Sequence, residues 1–101
     1  MDESEAGWAM KLTPGEVFLN LLRDQLGLAS IENSDMGRTL KEIGADSLDG
    51  VEVMILLEEA LDIEITDDDA ARIIGADGSN TVFQAKNEVD ALVVRLDGGR
   101  R

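Results

Sequence analysis

The 101-residue chain contains no cysteine and no histidine. It can therefore build no disulfide scaffold, thiol nucleophile, zinc finger or imidazole base, and no serine triad that depends on histidine. It has one proline and only three aromatic residues, Trp8, Phe18 and Phe83, so its core must be aliphatic. Positive charge is scarce: 9 Lys and Arg stand against 22 Asp and Glu, a net charge of −13. That balance repels a nucleic-acid backbone and opposes docking on anionic lipid. No apolar run approaches the ~20 residues of a spanning helix, so membrane insertion is not expected. The first residues, Met1-Asp2-Glu3-Ser4-Glu5, are acidic where a signal peptide would be basic. One small cytoplasmic domain, monomeric and with basic partners, is the expectation.

Hydrophobic content of 44% suits a globular chain. Residues 1–12 show no period and are expected to be a flexible extension. Thr13-Pro14-Gly15-Glu16 then combines a cap, a first-position proline and a capping-box glutamate. The helix it opens carries Val17, Phe18, Leu21, Leu22 and Leu26, and Gly27 is a stop signal. Residues 29–46 read as a long connection of turn formers, anchored by Ile31, Met36, Leu40 and Ile43. A second helix is expected from Ser47 to Leu61, and a short third one after Thr66. Gly75–Asn80 reads as a flexible loop. A last helix from Thr81 to Leu96 precedes a tail, residues 97–101. No segment alternates long enough for a good strand, and Ile63 and Ile65 read as pins of a loop. The expected fold is an all-α bundle of three longer helices and one short helix, spanning residues 13–96.

Advancing 100° per residue divides the second helix into two faces. Val53, Leu57, Ala60 and Leu61, with Met54 and Gly50, form the expected core face. Leu48, Glu52, Ile55 and Glu59 form a second stripe, bordered by Val51 and Glu58 on one side and Asp49 on the other. Ten acids lie between Asp46 and Asp69, with no Lys or Arg among them. Like charges at this spacing oppose one another by a few tenths of a kcal/mol per pair. The run is either a solvated face or a docking face, on which acids steer a basic partner and Leu48 and Ile55 give apolar contact. Ser47 also has two readings. Either Asp46 or Ser47 caps the helix, or the serine is a modification site at a helix start whose dipole favours a phosphate ester. Asp46 and Asp49 work against such an ester by repulsion.

Gly44-Ala45-Asp46-Ser47-Leu48-Asp49, followed by Val51-Glu52, resembles the attachment motif of acyl carrier proteins. Leu57-Glu58-Glu59-Ala60-Leu61-Asp62-Ile63-Glu64-Ile65 and Asp67-Asp68-Asp69-Ala70 resemble the stretch that follows it. The resemblance is close over residues 43–73 and weaker over about 13–96. It implies a cytosolic four-helix carrier rather than an enzyme, without catalytic residues or a metal site. A phosphopantetheinyl transferase would move 4′-phosphopantetheine from coenzyme A to Ser47. The thiol of that arm would hold acyl chains as thioesters for fatty acid, lipid or polyketide enzymes. Asp46, Leu48, Asp49, Val51, Glu52, Ile55 and Glu59 would meet basic docking patches on acyl-transferring or chain-building enzymes.

Some positions depart from the family pattern. Gly50 stands where a larger residue is common, Ala60 where an acid is frequent, and Leu61 where an aromatic is frequent. These departures imply a specialised carrier. The alternatives are an aminoacyl or peptidyl carrier, in which Ser47 keeps its role, and an acidic interaction module, in which Ser47 carries nothing. Asp67-Asp68-Asp69 lacks the spaced acids and glycine of a calcium loop, so only weak, diffuse divalent binding is expected.

Overall fold

The computed structural model describes residues 12–99; the extension expected over residues 1–12 lies, apart from Leu12, outside them. Among the described residues four helices follow one another: α1, Pro14–Leu26; α2, Ser47–Leu61; α3, Asp67–Ile74; and α4, Val82–Gly99. Among the described residues extended pairing is limited to one isolated bridge, between Thr39 and Thr81. The all-α expectation of three longer helices and a short one holds. Short 3-10 turns at Asn33–Asp35 and Ala76–Gly78 punctuate the connections.

The starts are set locally. Thr13 accepts the Glu16 amide at 3.2 Å, and the Glu16 carboxylate accepts the Thr13 amide at 3.1 Å. Thr66 and Asp69 repeat this exchange at α3, as do Thr81 and Gln84 ahead of α4. Each box satisfies two amides that a helix leaves without acceptors. Gly27 ends α1, its amide returning to Arg23 and Asp24 carbonyls.

The buried core is aliphatic around one aromatic ring. Phe18 and Leu22 of α1, Val53, Met54 and Leu57 of α2, Ile73 of α3, and Val82, Ala85, Val89 and Leu92 of α4 close on Leu40 from the long connection. Ile31, Met36 and Ile43 are half-buried against this cluster, as are Ile63 and Ile65, so both loops are anchored as expected. α1 packs on α2 and α4, and α3 packs on α4.

Three expectations need correction. Ala60 is exposed. The buried arc of α2 runs from Val53 through Leu57, Gly50 and Leu61 to Met54, and Ala60 falls just beyond its Val53 edge. The 75–80 segment is tied down rather than loose. Asn80 donates to the Arg72 and Ile73 carbonyls at 2.7 and 3.1 Å, while the Gly78 and Asn80 carbonyls accept the Lys41 and Leu40 amides. The tail expected from residue 97 is helical through Gly99, because extending an established helix adds a hydrogen bond per residue and outweighs the weak propensity of glycine there.

One contact fixes α1 against α4. The Gly15 amide donates to Asp90 Oδ1 at 2.8 Å. A Cβ at Gly15 would lie 2.6 Å from Asp90 Oδ2 and 2.9 Å from the Lys86 carbonyl oxygen. A methyl gains up to about 1 kcal/mol of helix propensity, but the clash with backbone costs about 1–3 kcal/mol. Gly15→Ala is therefore expected to destabilise the fold by about 1 kcal/mol or more in urea unfolding, and a neutral or stabilising result would contradict this packing.

Candidate functional site at the start of α2

α2 begins with two aspartates, not with the serine. The Asp49 amide donates to Asp46 Oδ1 at 2.9 Å, and the Asp46 amide donates to Asp49 Oδ2 at 3.1 Å. Asp46, in extended conformation, is the cap, and Ser47 is the first helical residue. The choice left open in the sequence thus falls to Asp46. Ser47 is exposed, and its hydroxyl is not spent on capping.

Gln25 of α1 joins the site across the helix packing. Its side-chain amide donates to Asp49 at 3.3 Å and to Glu52 at 2.7 Å. One neutral donor thus holds two like-charged carboxylates in place. The Asp46 amide, and after it Gln25, hold the Asp49 carboxyl below the usual aspartate range. On the far border of the stripe, the Glu58 carboxylate accepts the Ile65 amide at 2.8 Å and fixes the α2–α3 connection.

The second stripe of α2 is open. Leu48 is 65%, Val51 56% and Ile55 48% exposed, with Glu52 and Glu59 exposed beside them. Asp46 is exposed at the top and Asp49 is half-buried by its bonds. The structure therefore brings the sequence-predicted site residues onto one surface that begins at Ser47. Leu56, also exposed, extends this apolar surface and was not singled out by the helical wheel.

Beside Ser47 lies a cavity of about 290 Å³. Its mouth is formed by Ala45, Asp46, Ser47 and Asp77, and its wall by Phe18, Leu22, Leu40, Val53, Met54 and Ile74, among others. It exists because α3 packs on α4 and not tightly on α2. Gly50 faces the gap: a Cβ there would meet Ile74 Cδ1 at 2.8 Å. The glycine that departs from the family pattern thus gives Ile74 the space to lie across from α2. Gln25 and Asp77 had no recognisable signal in the sequence, since their roles arise from contacts across elements; Ile74 was readable as an apolar residue of the short helix, but its contact with Gly50 was not.

The comparisons agree with this geometry. A family model described as phosphopantetheine attachment site matches residues 16–73, more than half of the chain. The chain belongs to the acyl carrier protein family. It is 39% identical over 59 residues to an acyl carrier protein of Nitratidesulfovibrio vulgaris strain Miyazaki F, covering 58% of this chain and 78% of that protein. It is likewise 39% identical over 54 residues to acyl carrier proteins of strains DP4 and Hildenborough, covering 54% of this chain and 71% of each. No solved structure gave a significant match.

Acyl carrier proteins are carriers rather than enzymes and hold 4′-phosphopantetheine covalently. The residues at the start of α2 fit such a group. An exposed primary hydroxyl stands in the first turn, where backbone amides lack intrahelical acceptors and the helix dipole favours an anion. An apolar cavity opens at its side. Among the described residues no group of three or more carboxylates is arranged to hold a metal ion, and no helix is long and apolar enough to cross a membrane.

The lowered Asp49 value favours the folded state above the ordinary aspartate range, and that contribution is lost as pH falls through the folded-state value. In a carboxyl-carbon NMR titration Asp49 is expected to titrate below a free aspartate, and Gln25→Ala is expected to move its midpoint upward. A midpoint that stays in place would contradict the Gln25 contact.

Proposed function

We propose that Ser47 is the attachment residue and that the chain is a cytoplasmic, monomeric acyl carrier. The observation that carries this reading is the exposed Ser47 hydroxyl, freed from capping by Asp46, at the mouth of an apolar cavity and inside the matched segment. A transferase would join Ser47 Oγ to the β-phosphorus of coenzyme A. The Oγ proton would leave to a base of that enzyme, and the P–O bond to the nucleotide would break. Once bound, the arm supplies the thiol that this cysteine-free sequence lacks.

The α2 surface gives the carrier its means of recognition. Asp46, Asp49, Glu52 and Glu59 attract a basic patch over long range, and Leu48, Val51 and Ile55 offer the apolar contact that holds it. The partners are phosphopantetheinyl transferase and enzymes that load, extend or remove acyl chains. The mainly apolar lining of the cavity, with Phe18, Leu22, Leu40, Val53, Met54 and Ile74, supports an alkyl-type chain as cargo, in fatty acid, lipid or polyketide synthesis.

Incubation with coenzyme A and a phosphopantetheinyl transferase is expected to add the mass of one phosphopantetheine group to the intact protein, and Ser47→Ala to abolish the gain. A gain that survives Ser47→Ala, or none with several transferases, overturns the assignment.

A further inference from the structure

Attachment at Ser47 would place a phosphodiester anion in an acidic neighbourhood. Asp46 and Asp77 line, together with Ser47, both depressions that meet there, and Asp67 lines the cavity beneath α3 and α2. From Asp46 to Asp69 the sequence contains no Lys or Arg. The helix dipole offsets such crowding only in part, since its effect is modest at an exposed helix end.

One cation is within this neighbourhood. Lys41 lines a surface depression of about 350 Å³ together with Gly44, Ala45, Asp46, Ser47 and Asp77. It is the only Lys or Arg among the residues lining either depression at Ser47. Its backbone is held from two sides. The Lys41 amide donates to the Gly78 carbonyl at 3.1 Å, and the Lys41 carbonyl accepts the Gly44 amide at 3.1 Å. Thr39 and Glu42 brace the same turn, exchanging amide-to-side-chain bonds at 2.8 and 3.0 Å. The stem of Lys41 therefore starts from a fixed point while its ammonium stays exposed.

The ion pairs among the described residues leave Lys41 aside. They join Arg23 to Asp24, Arg38 to Asp35, Lys86 to Asp90 and Arg95 to Asp69. A fixed backbone, an unengaged ammonium and a shared depression with Ser47 have one common use.

We infer that Lys41 is a positioning residue for the arm, its ammonium neutralising the phosphodiester on Ser47. The inference rests on attachment at Ser47 and adds the group that makes the anion tolerable among Asp46, Asp49 and Asp77. A lysine suits the task because its flexible stem lets a compact charge follow a mobile phosphate. The interaction is exposed, so salt must weaken it.

The test compares wild-type protein with Lys41→Gln and Lys41→Arg, each before and after loading with coenzyme A and a transferase. Intact mass reports loading, so a failure of attachment at Ser47 is seen separately. At low ionic strength, loading is expected to change the melting temperature of Lys41→Gln less favourably than that of wild type by roughly 2–4 °C. Lys41→Arg restores the wild-type response, and the difference shrinks at about 0.5 M salt. The ³¹P resonance of the loaded protein is expected to move in Lys41→Gln. A role of Lys41 in the fold alone would lower both melting temperatures of the variant equally and leave the response to loading unchanged. Equal responses to loading in wild type and Lys41→Gln, or an unmoved ³¹P signal, overturn the inference.

Discussion

The reciprocal bond between Asp46 and Asp49 sets the terms for the whole functional end of the molecule. A helix must satisfy its first amides, and the residue types that do so best are Asp, Asn, Ser and Thr. Here the carboxylate immediately before the serine takes that duty, and Asp49 returns a bond to the Asp46 amide. Ser47 is thereby placed on the first turn with its hydroxyl exposed. Each of these two carboxylates is thereby engaged by a backbone donor.

The rest of the site follows from how α2 is held. Its buried arc, Val53, Met54 and Leu57, packs against α1, and Gln25 of α1 reaches over to Asp49 and Glu52. That leaves the opposite stripe of Leu48, Val51 and Ile55 uncovered. α3, held to α4 and tied by Asn80, stands off from α2, so the core opens beside Ser47 instead of closing. Exposed acid-and-apolar surface on one side and an apolar cavity on the other are the two needs of a carrier: to be recognised, and to shelter what it carries.

Much of this was legible in the sequence because it is local. Thr13-Pro14-Gly15-Glu16 and Thr66 through Asp69 announce their helices by capping chemistry, and the period of α4 reveals Val82, Ala85, Val89 and Leu92 as core. The wheel of α2 separated the open stripe correctly and erred at Ala60, which lies at the edge of the arc, where 20–40° of rotation decides between burial and exposure. What could not be read was tertiary. Gly15 looked like an ordinary first-turn residue until Asp90 of α4 closed on it. The 75–80 segment, rich in glycine and small polar residues, has the composition of a loose loop, yet its carbonyls meet Leu40 and Lys41 from a distant connection. Gln25 and Lys41 carry no pattern at all. Gly50 was visible as an oddity, and only Ile74 explains it.

The central claim is that Asp46 holds the start of α2 and leaves the Ser47 hydroxyl free. Chemical unfolding of Asp46→Ala and Ser47→Ala, each in the unloaded protein and read alongside hydrogen exchange of the Asp49 amide, tests it most directly. Asp46→Ala should cost about 1 kcal/mol and expose the Asp49 amide, whereas Ser47→Ala should leave stability within about 0.5 kcal/mol and the amide protected. A loss in Ser47→Ala as large as that in Asp46→Ala, with the Asp49 amide deprotected, would show that the hydroxyl is the cap and would contradict the account.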